Sequence, residues 1–331
     1  MTKPLGDPSR KWDQRIERAC ELAGQYPFAT QVLTFYSKLA AFQQGISSHL
    51  QSTFVPSDQS CSAGLQPGIF RPKPERLAES SAGLKPGATT YSSGQLSPEL
   101  SPRELETLMP RFRPLLSFLG HEGPSAMADF AARLEKSDPG DWAQLLKRFW
   151  RRNERDRMER DGTNQGQAEP VRPETGEGSS DEGLRRFTAL AVLQPYAEFL
   201  AYRANVPEPA VRRPVCPFCG SKPLAGVLRP EGEGAKRSLV CSFCYTEWDY
   251  LRISCPACEE SRDDRMCVYT ATSFELVRVE ACETCRTYIK TVDLTKNGRA
   301  IPEVDELAAI PLTLWADDQG YTKISRNIFN S

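Results

Sequence analysis

The chain has 331 residues, 26% of them charged and 39% hydrophobic, with a formal net charge of −1 and a pI near 6.3. That length suggests about two domains, and the near-neutral balance sets up no strong field for a polyanionic partner. No stretch approaches membrane-spanning length and the first residues carry no apolar signal core, so the cytoplasm is the expected location. Thiols stay reduced there, so paired cysteines among the 11 read as metal ligands or redox pairs, not structural disulfides.

Helical periodicity runs from the N-terminus to about residue 205. Residues 9–26 form a predicted helix around Trp12, Ile16, Ala19, Cys20 and Leu22, which makes Cys20 a small core hydrophobe. Residues 29–50 place Val32, Phe35, Tyr36, Leu39, Ala40 and Phe42 on one broad apolar face. Residues 51–100 are rich in Ser, Pro and Gly, too long for an ordinary loop, and are expected to be partly disordered or to wrap the surface; Cys61 there is an incidental thiol. Ser101-Pro102-Arg103-Glu104 has the form of a capping box with proline at the first helical position.

Further helices are expected over 125–136, 140–160 and 183–204, with Pro195 kinking or breaking the last. The basic run from Lys147 to Arg160 is interleaved with Glu154, Asp156 and Glu159 and reads as a solvated helix face. Residues 161–182 read as a flexible acidic connection, and the domain boundary falls near Pro207–Pro214. Residues 303–319 predict a short helix and turn, with Leu307, Leu312, Leu314 and Trp315 returning to a core.

Between these segments stand four Cys-x-x-Cys pairs: Cys216/Cys219, Cys241/Cys244, Cys255/Cys258 and Cys282/Cys285. Each pair puts two sulfurs on one short turn, where both can face one ion at about 2.3 Å. The first two pairs are separated by 21 residues and the last two by 23, with alternating strand-like sequence between them. Turn, strand pair and second turn make a zinc-ribbon or rubredoxin-like unit. Sequential pairing then gives one site from Cys216, Cys219, Cys241 and Cys244, and a second from Cys255, Cys258, Cys282 and Cys285. An interleaved arrangement is the alternative. The fold class is α+β: an all-helical domain over 1–210, two tandem metal ribbons over 211–250 and 251–300, and a tail with a short helix over 301–331.

A ribbon of this size buries too little apolar surface to be stable alone. Metal binding can contribute roughly 10–16 kcal/mol of apparent free energy and make folding conditional on it. A mainly structural metal is therefore preferred to a dithiol redox pair, which usually sits at a helix N-terminus in a βαβ setting. Fe–S clusters are a further use of all-cysteine sites. Tetrahedral sulfur suits zinc and mononuclear iron equally. Cys267 is expected to pack in the second ribbon, and the two histidines, His49 and His121, lie far upstream in ordinary roles.

Zinc ribbons often bind nucleic acid, but residues 214–300 carry 12 Lys+Arg against 12 Asp+Glu. Thiolates around a divalent ion add about −2 per site, making a poor phosphate partner. The chain holds no P-loop, dinucleotide-binding glycine motif, HExxH or nucleophile elbow. Binding or assembly is favoured over catalysis.

The residues around the cysteines carry a resemblance. Cys216-Pro217-Phe218-Cys219-Gly220-Ser221-Lys222-Pro223, then Ala225-Gly226-Val227, Cys241-Ser242-Phe243-Cys244-Tyr245-Thr246-Glu247-Trp248 and Arg252 resemble the formate dehydrogenase accessory proteins, FdhE. So do Cys255-Pro256-Ala257-Cys258 and Glu280 to Lys290, with Leu193-Gln194-Pro195-Tyr196-Ala197-Glu198 upstream and Asp305-Glu306-Leu307-Ala308, Leu312 to Trp315 and Gly320-Tyr321 downstream. The likeness covers about 190–325 and is diffuse before that. Thr313 stands where an acidic residue is expected.

The resemblance implies a non-catalytic cytoplasmic maturation factor that binds the catalytic subunit of a formate dehydrogenase, with rubredoxin-type iron, or zinc, at two sites per chain. A homodimer is compatible with it. Thr246, Glu247, Trp248 and Arg252 are the expected client surface, with core packing of Trp248 and a local Glu247–Arg252 ion pair as the plainer readings. From other classes, a thiol-redox or sulfur-handling enzyme and a zinc-ribbon nucleic-acid-binding protein are the alternatives.

Overall fold

A computed structural model describes residues 8–54, 96–97, 99–161, 178–205 and 212–329. Most of the 51–100 and 161–182 segments, Cys61 among them, lie outside the described residues. Helix α1 (Pro8–Gln25) and α2 (Thr30–Phe54) are joined by a tight turn at Pro27. Trp12, Ala19 and Leu22 of α1 recur at helical spacing and bury against Leu33, Tyr36 and Ala40 of α2. Cys20 is exposed, which corrects its assignment to the core: one residue past Ala19, it lies about 100° round the helix from the buried stripe.

Helix α3 (Pro102–Leu108) starts with both halves of the capping box, Ser101 N donating to Glu104 Oε2 at 2.6 Å and Glu104 N to Ser101 Oγ at 3.3 Å. Helices α4 (Phe112–Glu122), α5 (Ser125–Glu135), α6 (Pro139–Asp161) and α7 (Gly178–Ala204) complete the helical part. On α6, Arg148 reaches across to Glu182 of α7 at 2.8 Å.

Helix α7 continues through Pro195, so the expected break does not occur. Proline removes the amide that would bond the carbonyl four residues back. That carbonyl belongs to Ala191, and the buried Gln43 of α2 donates its Nε2 to it at 3.1 Å. The lost helical bond is replaced from a neighbouring helix, and the apolar surroundings of Leu190, Val192, Leu193 and Tyr196 hold the helix in place.

The C-terminal part is built on a seven-stranded sheet: β1 (Pro223–Glu231), β2 (Gly234–Cys241), β3 (Glu247–Asp249), β4 (Met266–Tyr269), β5 (Val277–Cys282), β6 (Thr287–Asp293) and β7 (Thr322–Lys323). The strand order is β3-β2-β1-β6-β5-β4, with β7 also paired to β6. The two cysteine modules therefore share one sheet. They meet at a parallel pairing of β1 and β6, where Gly226 faces Thr291. A Cβ on Gly226 would come within 2.3 Å of Thr291 Oγ1, so only glycine permits this close approach.

Helices α8 (Pro302–Ala308) and α9 (Ile310–Asp318) cover the sheet's end. Leu307 and Leu312 are buried as expected and Trp315 packs on Tyr269 at 4.7 Å, but Leu314 is 60% exposed, on the outer face of a two-turn helix. Val304, Leu307 and Ala308 join the α1–α2 core.

Buried charges tie the parts together. Arg15 grips Glu198 of α7 through two bonds of 2.8 and 2.9 Å and Glu303 of α8 at 2.5 Å. Arg18 forks onto Asp305 at 2.5 and 3.0 Å. Glu306, fully buried, pairs with Lys290 at 2.9 Å and with Lys323, and accepts from Asn327 Nδ2 at 3.2 Å. Burial pushes the Glu306 carboxyl up, but the two ammonium groups outweigh it and hold it down at about 2. Burial pulls Lys290 down to about 8, only partly offset by Glu306.

Candidate metal centres

Each cysteine pair sits on a turn of the same construction. In three of them the amide after the second cysteine donates back to the carbonyl of the first: Gly220 N to Cys216 O at 3.0 Å, Glu259 N to Cys255 O and Arg286 N to Cys282 O at 2.9 Å. The residue making that turn is left-handed in all four, with φ of 74° at Gly220, 53° at Tyr245, 60° at Glu259 and 55° at Arg286. Three are not glycine and accept a local cost of about 1 kcal/mol each to aim two sulfurs at one point.

The first turn precedes β1 and the second follows β2, so the β1–β2 hairpin brings Cys216, Cys219, Cys241 and Cys244 together. In the same way β4 and β5 bring together Cys255, Cys258, Cys282 and Cys285. Within each group all four sulfurs lie within 4.8 Å of one another, in the sequential arrangement and not the interleaved one. In the first, Cys216–Cys244, Cys219–Cys244 and Cys219–Cys241 are 3.6, 3.5 and 3.3 Å apart. In the second, Cys255–Cys285 and Cys258–Cys282 are 3.6 and 3.7 Å apart. A regular tetrahedron of sulfurs around a metal at about 2.3 Å has edges of about 3.8 Å. Both clusters are close to that size and could each hold a metal ion.

The first cluster is buried throughout, its cysteines 0–4% exposed among Phe218, Phe243, Trp150 and Trp248. Burial pushes the Cys241 and Cys244 thiols up. At Cys219 burial acts the same way, but hydrogen bonds from Cys216, Cys241, Cys244 and Ser221 outweigh it and hold that thiol well below its ordinary value. A cation among the four sulfurs would favour their charged forms. The amides of Phe243 and Cys244 point at Cys241 Sγ, at 3.3 and 3.5 Å.

Helices brace this cluster from behind. Gln194 of α7 donates to Ser242 O inside the second turn at 3.0 Å, and the Arg15 guanidinium lies 4.7 Å from the Tyr245 ring. Both were missed by spacing arguments, because the elements are far apart in sequence; Gln194 lies in the resembling run Leu193 to Glu198. Three hydroxyls at the sulfurs were also missed: Ser221 lies 3.3 Å from Cys219 Sγ, Thr246 3.1 Å from Cys244 Sγ and Thr287 3.0 Å from Cys285 Sγ. Their signal was available, a Ser or Thr two residues after the second cysteine of three pairs.

Of the four residues expected at the client surface, Trp248 packs in the core, the plainer of its two readings. It is 3% exposed on the central side of β3 and donates Nε1 to Arg213 O at 2.8 Å, because the β2–β3 register turns it into the core. Thr246 lies against Cys244. Glu247 is held by Arg229 at 2.5 and 2.6 Å and by Ser238 at 2.5 Å. Arg252 is exposed and donates to Ala235 O at 3.1 Å. Cys267 is half-buried in β4, His49 half-buried and His121 exposed.

No helix among the described residues is long and apolar enough to cross a membrane. Residues 215–252 match the FdhE central domain and residues 253–329 the FdhE C-terminal domain. An FdhE homologue from Aquifex aeolicus is 27% identical over 314 residues, 94% of this chain and 93% of that protein. FdhE homologues from Pseudomonas putida and Edwardsiella ictaluri are each 34% identical, over 39% and 45% of this chain and 42% and 48% of their own lengths. The crystal structure of the FdhE protein from Pseudomonas aeruginosa has the same fold, with a TM-score of 0.59 over 98% of this chain and 97% of that one at 20% identity. Residues 215–329 of this chain are thus similar to the central and C-terminal domains of the FdhE proteins.

Proposed function

We propose that this chain is a non-catalytic cytoplasmic accessory factor that binds the catalytic subunit of a formate dehydrogenase and is needed for its assembly or activation. The observation that carries the reading is the pair of four-cysteine clusters lying in the two FdhE-type domains. In this reading Cys216, Cys219, Cys241 and Cys244 hold one ion of iron or zinc, and Cys255, Cys258, Cys282 and Cys285 hold another. A bound ion cross-links two turns; the chain's own part is to aim the sulfurs, donate amides to them and keep the first site dry. Exposed Arg252 and the rim carboxylate Glu247 form part of the client surface.

The test is capture of the formate dehydrogenase catalytic subunit by tagged full-length protein purified without oxygen, with elemental analysis of the same preparation. About two metals per chain and capture of the subunit are expected, and Glu247→Ala with Arg252→Ala should weaken capture at unchanged metal content. Protein carrying both metals that fails to capture the subunit overturns the reading. Metal-free protein with fast-reacting cysteine pairs would favour the thiol enzyme, and salt-sensitive retention of DNA or RNA the nucleic-acid protein.

A further inference from the structure

The two clusters share one turn design but differ in what surrounds the sulfurs. The first is enclosed by aromatic side chains and braced by Gln194 and Arg15. In the second, Cys255 and Cys282 are each 1% exposed, but Cys285 is half-buried and Cys258 is exposed. None of its four cysteines belongs to a hydrophobic cluster among the described residues, whereas all four of the first do.

The turns differ too. Three place a hydroxyl two residues after the second cysteine, at Ser221, Thr246 and Thr287. The fourth has Glu260, whose carboxylate is engaged by Arg262 at 3.0 Å and Thr284 at 2.7 Å. Cys258 therefore lacks both cover and a hydroxyl partner among the described residues; its sulfur is met by the Glu260 amide and by its fellow cysteines, Cys282 Sγ at 3.7 Å among them. Solvent access and such outer hydrogen bonds set how firmly a sulfur ligand is held.

We propose that the clusters divide their roles: the first keeps its metal as part of the fold, and the second exchanges a soft divalent cation with thiol ligands from solution through the Cys258 arm. This rests on the reading that both clusters bind metal. In the exchange an incoming thiolate takes the coordination position that the Cys258 sulfur leaves, and the freed thiolate takes a proton from water. No oxidation state changes.

The experiment uses full-length protein loaded with zinc and challenged with glutathione and a metallochromic chelator, while N-ethylmaleimide labelling is mapped by mass spectrometry. One equivalent should leave about tenfold faster than the other or more, with Cys258 labelled first and the melting transition kept. Cys258→Ser should retain one firmly held metal, and Glu260→Thr, which restores the hydroxyl, should slow the fast phase. Both equivalents leaving in a single phase, or first-cluster cysteines labelled first, would overturn the division alone. Absence of metal from both clusters would overturn the metal reading and this inference with it.

Discussion

The two cysteine regions are alike in their turns and unlike in their cover. The first is continuous with the helical core: Phe243 meets Trp150 of α6 at 5.6 Å, and Trp150 meets Tyr196 of α7 at 5.8 Å. The second rests on the far half of the sheet, with a separate core of Phe274, Val277, Val279, Tyr288 and Val292 under α9. The same local chemistry can thus serve as a keystone in one place and as a surface site in another. Which of these it becomes depends on the elements that pack over it.

Four changes test that difference, and the largest effect is expected where cover is deepest. Cys241→Ser removes a ligand from the enclosed cluster and forfeits much of the roughly 10–16 kcal/mol that such a metal can contribute. Circular dichroism should show loss of the cooperative melting transition. Wild-type melting in a Cys241→Ser protein that has lost one metal would remove the keystone role.

Next is the charge cluster that pins α8 to β6. Glu306→Gln strands Lys290 and Lys323 in the interior, at a cost of about 3–5 kcal/mol in denaturant unfolding. Its pH dependence has a definite sign. The folded carboxyl titrates near 2 and the unfolded one near 4.5, so its contribution is complete above 4.5 and is lost as pH falls toward 2. The stability gap between wild type and Glu306→Gln should therefore close on acidification across that window. A gap that stays constant would mean that Glu306 acts through packing alone.

A smaller cost, about 1–3 kcal/mol, is expected for Gln43→Leu, which leaves the Ala191 carbonyl without its partner. In a Pro195→Ala background the restored amide can serve that carbonyl, and the cost of Gln43→Leu should shrink; equal costs in both backgrounds would refute the compensation. The smallest effect is a gain. Glu259 is exposed and left-handed, so Glu259→Gly should stabilise the metal-loaded protein by about 1 kcal/mol. A loss would show that the turn at the exposed cluster is not strained.

Much of the fold was legible before the structure. Helices α1, α2, α5 and α6 follow from apolar spacing, and the start of α3 from Ser101 and Glu104, because those signals are local. The sequential grouping of the cysteines, preferred on the near-equal spacings of 21 and 23 residues, is the one the structure shows. Two readings failed for one reason: Cys20 and Leu314 were placed by residue type, while their exposure depends on which side of an element meets a neighbour, and the same dependence decided Trp248 in favour of its core-packing reading. Pro195 was read by its local cost alone; Gln43, 152 positions upstream by its number, supplied what the helix lost.

By itself the sequence determined the helical periodicity and the four cysteine turns, and favoured the sequential pairing, because these depend on residues a few positions apart or on one hairpin. Only the tertiary structure decided that the two modules share a sheet through Gly226 and Thr291, that Arg15 and Arg18 tie the first helix to Glu303 and Asp305 of α8, and that one cluster is enclosed while the other opens at Cys258. Those outcomes depend on burial, and burial is a property of what packs against a residue from elsewhere in the chain.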